Sequence, residues 1–178
     1  MITARRMVSI LAAITAISVS TGCGFLLRSN ESDSEAHCAN VFSMSSSAEP
    51  LGSTIGFTRA AMKAATGTEP VSLADIARAA GWNDGWDRMV DVPEEITAEE
   101  LNRRANTPAN CWKSLPKPFN SDGEGPPNGF YLFLLGDKPV QTVNWYYGHD
   151  QAFDFRGQDA IYPTTVLTPS AGQLRPTP

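Results

Sequence analysis

Residues 130–147 read "FYLFLLGDKPVQTVNWYY", from Phe130 to Tyr147, and this stretch decides the fold. Two apolar, aromatic-rich runs, Phe130–Leu135 and Val140–Tyr147, flank Gly136-Asp137-Lys138-Pro139. Glycine and proline in a short polar connection favour a turn, and β-branched and aromatic residues on both sides favour strands. The stretch therefore predicts a β-hairpin. In its second strand Val143, Trp145 and Tyr147 share one face, while Thr142, Asn144 and Tyr146 share the other. One set is expected in a core. The other, with Tyr131 or Phe133 across the hairpin, is a candidate aromatic surface for a protein, glycan or lipid. The candidate binding residues are thus Tyr131, Phe133, Trp145, Tyr146 and Tyr147, against the alternative that nearly all these rings are covered.

Upstream of the hairpin the signals are helical. Residues 54–66 are Ala-rich and end at Gly67, as a helix with a glycine stop would. Ser72 caps a second helix with Asp75 at its third position and Val71 stapled to Ile76; Leu73, Ile76, Ala77 and Ala80 share its apolar face, and Gly81 ends it. Thr97 opens a third, with Glu100 completing a capping box, Ile96 stapled to Leu101 and Asn106 as a left-handed stop. Residues 86–92, "WDRMVDV", alternate and stop before Pro93, which suggests a short strand. Weaker strands are expected at 152–155 and 161–167. Helices followed by strands predict an α+β fold, with two or three short helices packed on a small antiparallel sheet. The expected organisation is a signal peptide over 1–22, a lipidated Cys and flexible tether over 23–53, with residues 38–44 ("CANVFSM") a candidate to dock on the body, a single α+β domain over 54–168 and a disordered tail over 169–178.

The N-terminus carries the information about location. Arg5 and Arg6 precede an uncharged, mostly apolar stretch, Val8–Val19, and then small residues. This is the order of an export signal, and the apolar run is shorter than the roughly 20 residues that span a bilayer. Ser20, Thr21 and Gly22 before Cys23 resemble the lipobox of bacterial lipoproteins, with Ser20 where that family usually has Leu. The resemblance implies cleavage before Cys23 and a diacylglyceryl group, with palmitate, on its sulfur. The alternative is an ordinary secreted protein. Removing residues 1–22 takes away two arginines and no acid, so the net charge goes from −5 to −7. An acidic body is repelled by an anionic membrane surface and depends on its anchor. With Cys23 lipidated, Cys38 and Cys111 remain as an even pair in an exported chain. A bridge between them would be worth about 4 kcal/mol on the chain-entropy model; the alternative is two free buried thiols.

Residues 71–81, "VSLADIARAAG", resemble the first helix of a lac-repressor-type DNA-binding module. The next residues break that pattern: Asp84, Asp87 and Asp91 would bring negative charge to the phosphate backbone, and Gly85 would weaken a recognition helix by about 1 kcal/mol. The acidic composition and the export signal point the same way, and no nucleic-acid partner is expected. Nor is a cofactor or metal expected. Asn120, Asp122 and Glu124 faintly resemble a calcium loop, but Tyr131 stands where a bidentate Glu is needed. His149 with Asp150 and Asp154 is the one acid–base candidate.

The body, through "GWDRMVDVPEEITAEELNRRANTPANCWKSLP" (85–116) and Gly136-Asp137-Lys138-Pro139-Val140, resembles uncharacterised cell-envelope lipoproteins of actinobacteria. That resemblance implies a location and no activity. Its helix-then-sheet plan is also similar, by analogy, to small lipoproteins and inhibitor-like modules that bind other proteins. The expectation is a membrane-anchored, non-catalytic binding or scaffold module whose partner is another envelope protein or a glycan. The alternatives are an envelope enzyme using His149 with Asp150 and Asp154, and a carrier of a small apolar ligand.

Overall fold

The fold comes from a computed structural model, whose described residues are 38–117, 128–146 and 149–177. Cys23 and Tyr147 lie outside them, as do Asn120, Asp122 and Glu124. In chain order the elements are β1 (Asn40–Ser43), α1 (Thr54–Ala65), β2 (Val71–Ser72), α2 (Leu73–Ala79), β3 (Arg88–Val92), α3 (Ala98–Ala105), β4 (Asn110–Lys113), β5 (Asn128–Leu135), β6 (Lys138–Tyr146), β7 (Val166–Ser170) and β8 (Gln173–Pro176). The class is α+β, as expected. The strands form three sheets where one was expected: antiparallel β3-β5-β6, antiparallel β2-β7-β8, and a parallel pair of β1 with β4.

The predicted hairpin is β5–β6, turning at Gly136 and Asp137. β5 is the central strand and has no polar face, because both of its faces are buried. Tyr131 and Phe133 point into one core with Phe57 of α1, Ile76 of α2, Trp82, Trp86, Phe153, Leu167 and Leu174. Leu132 and Leu134 point into a second core with Val90, Val92, Met44, and Leu101 and Ala105 of α3. The sheet is thus covered on both sides, and apolar burial of this extent is the main favourable term in its folding.

The helix ends follow their sequence signals, except that the capping box expected at Thr97 is only half made: the Glu100 side chain does not return to it. Ser72 accepts a hydrogen bond from Asp75 N at 3.1 Å, Thr97 accepts one from Glu100 N at 3.1 Å, and Asn106 ends α3 at φ 51°. The Glu100 carboxylate turns outward to Arg103 and Arg104, each at 2.8 Å. After Gly81 the chain forms no second helix. Trp82 and Trp86 instead pack edge-to-face with Phe133, with centroids 4.8 and 5.2 Å away.

Both expected ends of the domain are corrected. Residues 38–53 are part of the body: β1 pairs with β4, Met44 and Leu51 are buried, and Gln141 clamps Leu51 N and Gly52 O at 2.8 Å each. A Cys38–Cys111 disulfide, Cα–Cα 5.6 Å, fixes this segment across a separation of 73 residues. Residues 169–177 are likewise no tail. Ala171 and Gly172, at φ 51° and 80°, make a two-residue turn that pairs β8 with β7 and buries Leu174 completely.

Candidate functional site

The hairpin does not offer the aromatic surface expected of it. Tyr131, Phe133 and Trp145 are 2%, 0% and 5% exposed. Helices α1 and α2 and the β7–β8 hairpin cover the face they share. Alternation in β6 holds, with Val143 and Trp145 inward and Asn144 and Tyr146 outward. Of the expected binding residues that are described, Tyr146 alone is exposed.

The acid–base candidate also separates. His149 is exposed. Asp150 accepts a hydrogen bond from Tyr146 N, whereas Asp154 accepts one from Arg156 N at 3.0 Å and pairs with Arg175 at 3.0 Å and Arg156 at 3.4 Å. Each carboxylate is committed to a separate partner, and neither is hydrogen-bonded to the imidazole.

Two concave features take their place. The first is an open apolar groove of about 720 Å³ between α1 and α2, lined by Gly56, Ala60 and Ala64 of α1 and by Ile76 and Ala79 of α2. The four-residue spacing on α1 keeps small side chains on one face, so the helix surface there is shallow and backbone can be approached closely. Arg59 and Lys63, also four apart, line it together with Glu69 and Asp75, so the groove carries charge of both signs; Asp75 pairs with Arg78, and neither cation is ion-paired among the described residues.

The second is a polar cleft of about 520 Å³ between β3, the end of α3 and the segment from Gln151 to Asp159. Asp91 of β3 lines it, on the same face of the sheet as Tyr131 and Trp145. Gly129 makes that neighbourhood possible. It pairs with Trp145 in the ladder, and a β-carbon there would lie 2.1 Å from Trp145 Cζ2. Without one, the indole lies across β5 and its N–H faces the Asp91 carboxylate, though no hydrogen bond closes. Burial pushes the Asp91 carboxyl up to about 6, against the opposing pull of the Arg104 charge and the Trp145 indole. Burial also pushes the Tyr131 phenol up, and its oxygen accepts a hydrogen bond from Phe153 N at 3.2 Å.

Neither feature was among the sequence candidates, although both left a signal. Gly56-Ala60-Ala64 is a regular small-residue stripe, and Asp91 occupies a strand position that alternation with Met89 assigns to the interior. Among the described residues no group of three or more His, Cys, Asp or Glu is arranged to hold a metal ion. Compared with known proteins, the chain matches no family model, no curated protein and no solved structure.

Proposed function

We propose that this chain is an exported protein, held at the bacterial envelope membrane by a lipid on Cys23, that acts as a non-catalytic binding module through the α1–α2 groove. The Cys38–Cys111 disulfide supports the location, since such bonds persist in oxidising compartments and are rare in the cytosol. The binding half rests on one observation, the apolar groove with unpaired Arg59 and Lys63 at its rim. A groove of this kind suits an amphipathic helix of a partner envelope protein, whose apolar face meets the alanines and whose flanking charges, of both signs, meet Arg59 and Lys63 and, with the opposite sign, Glu69. The enzyme alternative lacks its constellation, because Asp150 and Asp154 serve a backbone N–H and two arginines.

The test is a photo-crosslinking amino acid at Ala60, irradiated in living cells. A discrete protein adduct that disappears with Arg59→Glu and Lys63→Glu is expected. Adducts of lipid mass alone would overturn the protein-partner reading in favour of an apolar-ligand carrier, and no groove-dependent adduct would remove the groove from function.

A further inference from the structure

We propose that the outer edge of β6, over residues 142–146, is a docking site for an extended peptide segment of a partner protein, which would join the β3-β5-β6 sheet as a further strand. The site is a sheet edge, and the inference does not rest on the α1–α2 groove.

The direction of each backbone group in this sheet follows from one pair of hydrogen bonds. Met89 N donates to Ile161 O at 2.8 Å and Ile161 N to Met89 O at 2.9 Å, so the Met89 backbone faces away from β5. Backbone groups alternate along a strand, so Val90 faces β5 and pairs with Leu132. Tyr131 then faces β6 and pairs with Val143, which leaves Thr142 and Asn144 facing outward. The next outward residue agrees: Tyr146 N donates to the Asp150 carboxylate, and its carbonyl accepts from His149 N at 3.1 Å. The backbone N–H and C=O groups of Thr142 and Asn144 have no hydrogen-bond partner among the described residues. Elsewhere the fold covers or blunts such edges. Ile161 covers β3, and the backbone of Ala152 and Asp154 bonds to Leu174 along β8. Lys138, Pro139 and a bulge blunt the start of β6.

Concave space flanks Asn144 on both faces of the sheet. One hollow, about 400 Å³, is lined by Met44, Ser45, Phe130 and Tyr146; the other, about 360 Å³, by Ile55 and Thr58 of α1; Asn144 lines both. An added strand sends successive side chains to opposite faces, so they would enter the two hollows in turn. Each hollow presents an exposed apolar side chain, Tyr146 at 40% and Ile55 at 70%. Of the charged groups there, Glu49 accepts from Thr54 N and Asp150 from Tyr146 N, and Arg59 is exposed. Main chain and apolar contact therefore supply the recognition, and the occupant that fits is an uncharged strand of β-branched residues. A second copy cannot supply it through its own β6, because that edge is recessed between the same walls and two recessed edges cannot meet.

The experiment follows backbone amides by proton–nitrogen correlation spectra and hydrogen exchange in the full chain, alone and with the blocked peptide acetyl-Lys-Val-Thr-Val-Thr-Val-Lys-amide. In the free protein the Asn144 amide should exchange about a hundredfold or more faster than that of Val143, which lies in the ladder. The peptide should shift the Asn144 amide saturably at about millimolar concentration and slow its exchange, and a fully N-methylated peptide should do neither. Asn144→Pro, which removes an N–H the fold does not use, should abolish binding. Ile55→Ser changes only an exposed side chain, so unfolding does not confound it, and it should weaken binding about fivefold. An Asn144 amide already protected in the free protein would overturn the proposal, in favour of a second copy if protection grows with protein concentration and of an edge closed by the chain itself if it does not. An exchanging amide that the peptide leaves unmoved would overturn it as well.

Discussion

Burial works against the charge on Asp91, and its consequence can be signed. The carboxyl titrates near 3.9 in an unfolded chain and is raised to about 6 in the fold, first by burial. Arg104 from α3 and the Trp145 indole from β6 pull the other way, and Tyr131 stands beside it from β5. Between about pH 4 and pH 6 the folded state therefore holds the proton more tightly than the unfolded state. The stability this supplies is complete below the unfolded value and is lost as pH rises through the folded one, about 3 kcal/mol at most. Urea midpoints of the wild type should thus fall relative to Asp91→Asn between about pH 4 and pH 7. A constant difference across that window would mean that Asp91 is solvated.

Among the elements, the β7–β8 hairpin separates what local sequence encodes from what it does not. Leu174 is fully buried against the α1 and α2 core, so Leu174→Ala should cost about 2–5 kcal/mol in chemical unfolding; a loss near zero would restore the frayed tail expected from composition. The helices and the β5–β6 hairpin were legible because their signals are local. A Ser72 or Thr97 cap, an Asn106 stop and a turn at Gly136-Asp137 are all set by neighbours within a few residues. β8 was not legible, because one leucine among prolines and polar residues carries no periodicity. β1 was not either: its partner β4 lies 70 residues away, Asn40 opposite Asn110. The site failed for a related reason. Alternation correctly grouped Val143 with Trp145, but it could not say that helices would cover that face, and so three expected surface rings are core.

For the molecule as a whole, the disulfide and the N-terminal segment act together. Cys38–Cys111 fixes residues 38–53 to the body, so the chain between Cys23 and Cys38 is all that would separate the folded domain from a lipid on Cys23. Cys111→Ser should lower stability by about 2–5 kcal/mol and abolish the gel-mobility shift between reducing and non-reducing conditions. If the shift persists in that variant, Cys38 has another partner. Location is the claim on which the proposed function depends, and labelled palmitate fed to bacteria expressing the chain tests it most directly. Wild type should incorporate the label and fractionate with membranes, and Cys23→Ser should do neither. Label-free wild-type protein, or a Cys23→Ser protein that stays in the membrane in processed form, would contradict anchoring through that cysteine.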